Sequence, residues 1–301
     1  MSQNVSAVIV TFNRLTLLKE VIESLQTQDT KLSHIIVVDN NSKSDTQEYL
    51  TSLGNQIEYV RLSENIGGAG GFNKGVRYFM EHTTDDFVWL MDDDTVVHPD
   101  TLTELLNFAD TQDQFGFLSS DVRWTDGHRA LMNQPAPMNR LKVIPEDQVE
   151  PVQLQNATFV SLLMKREVVK KIGLPITDFF IWGDDIEYTE RAGRIAPGYF
   201  VPRAKVTHKM AENVGSSLLN DNENRTPRYF YSYRNKRYYA KKRDFYRRNR
   251  ALLRMWAEYF QIKFSNTERK QEKLDIFKKG FRAGKTFNPI IEFANDLKEN
   301  K

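Results

Sequence analysis

Four apolar blocks, each followed by a segment with helical spacing, organise the first hundred residues of the chain. Val5-Ser6-Ala7-Val8-Ile9-Val10-Thr11-Phe12 is rich in β-branched residues and scarcely alternates, as expected of a parallel strand covered on both faces. Beyond Asn13, Leu15, Leu17, Leu18, Val21, Ile22 and Leu25 recur at the helical period. A second strand, 35–38, stops at Asp39-Asn40-Asn41-Ser42 and leads into another helical pattern. The third strand, 57–60, precedes a helix over about 71–82, and the fourth runs from Phe87 to Met91. Pro99-Asp100 opens a helix carrying Leu102, Leu105, Leu106 and Phe108, and 115–118 reads as a further strand. Pro135, Pro137, Pro145 and Pro151 with little periodicity mark 121–152 as a loop-rich insertion. Regular structure resumes at 157–164, and 165–172 is a short helix closed by Gly173. This alternation predicts an α/β doubly wound sheet, whose ligands bind beyond the carboxyl ends of the strands. Thr11-Phe12-Asn13-Arg14, Asp39-Asn40-Asn41-Ser42 and Asp92-Asp93-Asp94 all fall at such ends, so topology alone brings them together.

The run Phe87-Val88-Trp89-Leu90-Met91-Asp92-Asp93-Asp94 carries the most chemistry, because an apolar strand ends in three consecutive carboxylates. Two unit charges about 4 Å apart repel by about 1 kcal/mol in bulk water and several-fold more in a partly desolvated cleft. A divalent cation relieves that repulsion, and all-oxygen ligands suit Mg²⁺ or Mn²⁺; a solvated acidic turn is the bland alternative. Asp39 ends four apolar β-branched residues and can accept from an imide N–H, as in uracil or thymine, or simply cap a helix. Asn65-Ile66-Gly67-Gly68-Ala69-Gly70-Gly71-Phe72 is a glycine cluster opening a helix, suited to close approach by a diphosphate or to tight helix packing. It fits neither the dinucleotide fingerprint, since Asn73 stands where Gly is needed, nor a Walker loop. A second acidic site, Trp182-Gly183-Asp184-Asp185-Ile186-Glu187-Tyr188, follows an apolar lead-in that favours a raised carboxyl pKa and a general base, or else is a capped helix start. His208, in Val206-Thr207-His208, gains a metal-ligating reading only from the cation that Asp92 and Asp94 demand; His34, His82, His98 and His128 lack such a setting.

Composition adds a division of charge. The net charge of +2 conceals residues 228–301, which hold 21 Lys and Arg against 8 Asp and Glu, whereas 1–227 hold 21 against 32. Aromatics interleave with cations from Arg228 to Tyr239, and Leu252, Leu253, Met255, Trp256, Tyr259 and Phe260 continue an apolar stripe at helical spacing. Two readings stay open: a helical module packing on the catalytic domain and a sister subunit, hence a homo-oligomer, or an interfacial surface for anionic lipid. Nucleic acid is not an expected partner, since no recognition motif accompanies the charge. The absence of cysteine excludes disulfides and thiolate metal sites, the N-terminal residues lack a signal-peptide pattern, and no window approaches 18 uninterrupted apolar residues, so a cytoplasmic protein, soluble or peripheral on the inner face of the plasma membrane, is expected. The domains divide as 1–215, catalytic, and 216–301, a basic helical module.

The ordered set Thr-Phe-Asn-Arg, Val-Val-Asp-Asn, Asn-Ile-Gly-Gly-Ala-Gly-Gly-Phe, Asp-Asp-Asp, Trp-Gly-Asp-Asp-Ile-Glu and Val-Thr-His, spread over about residues 5–210, resembles family 2 inverting glycosyltransferases of GT-A fold, most closely bacterial galactofuranosyltransferases. The resemblance implies a doubly wound mixed sheet, a metal-dependent single displacement, UDP-galactofuranose as donor and a cell-envelope, capsular or lipid-linked glycan as acceptor. It places Thr11, Phe12, Asn13, Arg14, Asp39, Asn65, Gly68, Gly70, Gly71, Asp92 and Asp93 at the donor, and Asp92, Asp94 and His208 at Mn²⁺ or Mg²⁺. Asp185 matches the family's base and Glu187 its acceptor-hydroxyl partner, while the inserted Gly183 leaves Asp184 as a rival base. A dTDP-rhamnose enzyme is the near alternative. A sugar-phosphate nucleotidyltransferase is the distant one, disfavoured because no basic glycine-rich signature follows the first strand.

Overall fold

The computed structural model describes residues 3–138, 143–221 and 223–300. Its contacts divide the chain into two compact units: Met1–Thr177 with Asp185–Val214 and Ile291–Lys301, and Asp178–Asp184 with Gly215–Ile290.

The first unit alternates β1 (Val5–Thr11), α1 (Leu15–Gln26), β2 (His34–Asp39), α2 (Ser44–Ser52), β3 (Glu58–Arg61), α3 (Gly67–His82), β4 (Phe87–Asp92), β5 (Thr95–Val97), α4 (Thr101–Asp110), β6 (Phe117–Arg123), β7 (Ala136–Pro137), β8 (Val152–Asn156), β9 (Leu162–Lys165), α5 (Arg166–Ile172), α6 (Asp184–Ala192, its first residue counted with the second unit) and β10 (Gly198–His208). One sheet runs in the order β3-β2-β1-β4-β9-β6-β10-β8-β7, with β5 on β10. Pairing is parallel from β3 to β4 and between β6 and β10, whereas β9 lies antiparallel to both β4 and β6. The first four strands are thus wound as the pattern of apolar runs predicts, and β9 makes the sheet mixed.

Alternation along each strand feeds two cores. Val5, Ala7 and Ile9 of β1, with Phe87, Trp89 and Met91 of β4, pack under α1 and α4; Val8, Val10, Val88 and Leu90 pack under α3, α5 and α6. This double coverage explains why those strands read as continuous apolar runs. The segment 291–296 straps the second face: Leu174 N donates to Glu292 O at 2.8 Å, Asn73 Nδ2 to Glu292 Oε2 at 2.8 Å, and Arg166 pairs with Asp296 at 3.0 Å.

Several boundaries differ from the sequence reading. Helix α3 begins at Gly67 rather than near Gly71, because Asn65 Oδ1 accepts from Gly67 N at 2.9 Å and starts a turn that low glycine propensity would not predict. The strand expected at 115–118 continues to Arg123, and 157–161 is a loop between β8 and β9. The insertion at 121–152 holds β7 and is ordered by Asp121, buried and paired with Arg123 at 2.5 Å and Arg129 at 3.0 Å; residues 139–142 of it lie outside the described residues.

The second unit packs α7 (Tyr229–Ala240), α8 (Phe245–Phe264) and α9 (Lys270–Thr286) around Tyr229, Tyr233, Met255, Ile262, Leu274 and Phe277. Glycine brings α9 onto α7: a Cβ at Gly280 would lie 2.5 Å from Phe230 O and one at Gly284 2.7 Å from Arg234 O.

Candidate functional site

The strand order 3-2-1-4 puts a topological switch point between β1 and β4, with Val10 opposite Asp92 and Thr11 opposite Asp39. Polar residues therefore crowd one sheet edge. Asp93 turns back to β1, accepting from Thr11 Oγ1 at 2.7 Å and Phe12 N at 3.4 Å, and Arg14 reaches both Asp93 at 3.2 Å and Asp94 at 2.6 Å. The loops after β1 and β2 are stapled together: Asn13 N donates to Ser42 Oγ at 2.9 Å, and Lys43 N to Asn13 Oδ1 at 2.9 Å. Asn13 and Asn41 hold left-handed φ of 58° and 63°, which asparagine tolerates better than most residues.

His208 arrives by ladder register. Strand β10 follows β6 to Val201, skips three residues in a bulge, and beyond Lys205 also pairs antiparallel with β5, setting His208 opposite Thr95. Lys209 N then donates to Asp94 O at 2.8 Å, and His208 Nε2 lies 2.9 Å from Asp94 Oδ1. One ligand-capable atom each from Asp92, Asp94 and His208 lies within 4.8 Å of the others. His208 Nδ1 is buried without a hydrogen-bond partner. Burial, aided by the Asp94 charge, pushes the Asp92 carboxyl up to about 7, and burial raises Asp93 to about 6 against the pull of Arg14. Burial works on Asp94 in the same sense, but His208 and Arg14 outweigh it and hold Asp94 below its ordinary range. The bond and charge of Asp94 in turn raise His208, although burial opposes this. Arg14 and His208 thus bring positive charge to these carboxylates, and an Asp-Asp-His donor set fits Mn²⁺ or Mg²⁺.

Asp39 is fully buried at the end of β2. Its Oδ1 accepts from Ser42 N at 2.8 Å, and its Oδ2 from Tyr59 Oη at 3.1 Å and Arg61 at 2.6 Å. Arg61 escapes a sequence reading, since only the parallel β2–β3 register brings it opposite Asp39. Asn40 bonds the start of α3 from both sides, accepting from Ile66 N at 3.3 Å and donating to Gly67 O at 3.1 Å. The glycines of that turn divide. A Cβ at Gly71 would meet Val10 Cγ1 at 2.3 Å and one at Gly70 would meet Ile66 Cγ1 at 2.6 Å, whereas a Cβ at Gly68 would meet nothing within 4 Å. Gly70 and Gly71 have a packing reason to be glycine, and Gly68 faces open space.

Asp184 and Asp185 start α6, with Asp185 Oδ1 accepting from Ile186 N at 2.7 Å. Glu187 is buried and paired with Arg191 at 2.8 Å, whose guanidinium also donates to Ile172 O and Leu174 O. The preceding turn is strained at Phe180 and Trp182, with φ of 61° and 65°, whereas Gly183 takes its φ of 87° without cost. Within the second unit, Asn235 of α7 holds it, donating to Phe179 O at 3.0 Å, Ile181 O at 3.3 Å and Trp182 O at 2.8 Å. Nothing in the Arg234-Asn235-Lys236 sequence signals that role.

The profile described as "Glycosyl transferase family 2" matches residues 6–173, more than half of the chain. The chain belongs to this family. As a glycosyltransferase it is 25% identical over 250 residues to the galactofuranosyltransferase GlfT1 of Mycolicibacterium smegmatis, covering 78% of this chain and 82% of that protein. Its fold resembles S. aureus TarS 1–349 in complex with UDP-GlcNAc (TM-score 0.62, 15% identity, 93% of this chain and 81% of that one); the chain spans 44% of the longer TarS chain. It also resembles the mannosyltransferase PcManGT of Pyrobaculum calidifontis in complex with GDP-Man and Mn²⁺ (TM-score 0.56, 15% identity, 96% and 77%). The glycosyltransferase thus has the GT-A fold.

Proposed function

We propose that this glycosyltransferase moves galactofuranose from UDP-galactofuranose, with inversion, to a hydroxyl of a cell-envelope, capsular or lipid-linked glycan. The convergence of Asp92, Asp94 and His208 at the switch point carries the reading, and the likeness to GlfT1 supports the sugar. Asp39 would face the uracil and ribose once Arg61 yields, and Gly68 would leave room beside the diphosphate at the start of α3. Asp92, Asp94 and His208 would hold Mn²⁺ or Mg²⁺, which neutralises charge developing on the departing diphosphate. Arg14, already bonded to Asp93 and Asp94, would be released toward the same phosphates. Asp185 would take the proton of the attacking hydroxyl, with Asp184 its rival; Glu187, fixed by Arg191, would orient that hydroxyl. Attack from the face opposite the leaving diphosphate is what an inverting transfer requires.

The test is a donor panel of UDP-galactofuranose, dTDP-rhamnose and UDP-GlcNAc, followed by nucleotide release and the anomeric configuration of the product. Turnover confined to UDP-galactofuranose with an inverted anomer is expected. Turnover with dTDP-rhamnose alone would replace the donor, and a retained anomer would remove the single displacement. A donor at 100 times its dissociation constant should stabilise the protein by about 2.7 kcal/mol.

A further inference from the structure

Helix α8 is apolar on two faces, only one of which the second unit uses. Met255 and Ile262 are buried in its core, with Leu252 and Tyr259 packed beside them. At about 100° per residue, Tyr246, Leu253, Trp256, Phe260 and Phe264 fall on a different face. They are 72%, 69%, 40%, 47% and 78% exposed. Trp256 closes the border between the two faces, its ring tilted against Phe277 and Phe260 and edge-on to Phe281. The exposed face is flanked by Arg250 and Arg254 on one side and Lys263 on the other, all exposed, and residues 241–264 hold eight Lys and Arg against two Asp and Glu. Exposed apolar stripes of this extent mark interaction surfaces.

We propose that α8 docks on an anionic lipid bilayer, lying in the interface with Leu253, Phe260 and Phe264 among the acyl-chain ends and Arg250 and Arg254 at the lipid phosphates. Charge decides the occupant. A second copy docking through the same face would bring its own six excess positive charges against these, whereas an anionic bilayer neutralises them. Tyr246 and Trp256 have the amphipathic rings that settle at headgroup depth. At 20 residues α8 is long enough to lie along a surface, and among the described residues no helix is long and apolar enough to cross one. The surface shares no residue with the candidate donor site and would act whichever sugar is transferred. Its effect would be to hold the enzyme where a lipid-borne acceptor is presented.

The experiment is flotation of the full chain with vesicles of equal parts phosphatidylglycerol and phosphatidylcholine, beside vesicles of phosphatidylcholine alone. Wild type is expected to float with the first and far less with the second. The triple variant Leu253→Gln, Phe260→Gln, Phe264→Gln should lose about a thousandfold in partitioning, since each side chain contributes about tenfold. The double variant Arg250→Gln, Arg254→Gln should lose about tenfold or more on the anionic vesicles and little on neutral ones. Donor hydrolysis should be unchanged in both, and the thermal midpoint should fall only slightly in the triple variant, through the lost contact of half-exposed Phe260 with Trp256. Equal flotation with both lipids, no flotation of wild type, or a triple variant that floats normally but sizes as a smaller oligomer would each overturn the proposal, the last in favour of a second copy.

Discussion

Replacing Gly71 and Gly68 by alanine, one at a time, should move stability in opposite directions although the two sit in the same turn. At Gly71 the new methyl would stand 2.3 Å from Val10 Cγ1, 3.0 Å from Asn40 Nδ2 and 3.2 Å from Val10 Cγ2. Comfortable carbon contacts begin near 3.5 Å, so α3 must lift from β1 by about 1 Å or Val10 must leave its rotamer. Overpacking of this kind costs about 1–3 kcal/mol, against which alanine's better helix propensity returns at most about 1 kcal/mol. The net is about 1–2 kcal/mol of destabilisation, or about 2–8 °C in midpoint for a chain of this size. Movement of α3 would also strain the paired bonds of Asn40 to Ile66 N and Gly67 O. At Gly68 nothing lies within 4 Å, so alanine should be neutral or stabilising by a few tenths of a kcal/mol. Its methyl would instead intrude on the space assigned to the donor and weaken donor binding several-fold. Denaturant midpoints and donor titration of both variants read the two effects separately. A Gly71→Ala midpoint equal to wild type would refute the packing argument, and undiminished donor affinity in Gly68→Ala would refute the assignment of the open space.

Cation affinity should fall with acidity. With Asp92 pushed up to about 7 in the cation-free protein and His208 raised as well, binding must displace protons, so affinity rises with pH through this range. Asp92 alone predicts about a tenfold gain between pH 6 and pH 8, with protons released in calorimetry; flat affinity and no proton release would contradict the donor set. Asp185→Asn should lower turnover about 10²–10⁴-fold with donor affinity intact; if Asp184→Asn is the inactive one, the base lies one residue earlier. Asn235→Ala should destabilise by about 2–3 kcal/mol, because it strips three bonds from the turn that holds Phe180 and Trp182 left-handed. An unchanged unfolding midpoint would show that the turn holds itself.

The parallel half of the fold was legible because strands covered on both faces must be apolar throughout, and β1, β2 and β4 are. Of the antiparallel additions, β9 fell largely within the regular structure expected at 157–164, whereas β7 did not stand out in its proline-bearing stretch, where Asp121 grips Arg123 and Arg129 through contacts that no local pattern encodes. The carboxylates of the switch point stood out because three acids after an apolar strand are conspicuous in any sequence. Arg61 and Asn235 did not, since each owes its position to partners distant in sequence, Arg61 to parallel register with Asp39 and Asn235 to the turn it holds. The glycine cluster announced itself without revealing that Gly70 and Gly71 serve packing and Gly68 does not, a division set by Val10 and Ile66.

The bulge in β10 makes the proposed metal grip a property of the finished chain. The family region, 6–173, contains Asp92 and Asp94 but not His208, which closes on Asp94 across 114 residues of sequence. Contacts of such high sequence separation form late, after the loop-closure entropy has been met by the core. A nascent chain halted before β10 would therefore display Asp92, Asp93 and Asp94 with Arg14 as the cation bonded to them, and its hold on a cation would be weak. On the proposed reading, competence would switch on when β10 seats between β6 and β5, so an ion would not template the early sheet and would instead distinguish completed molecules from partial ones.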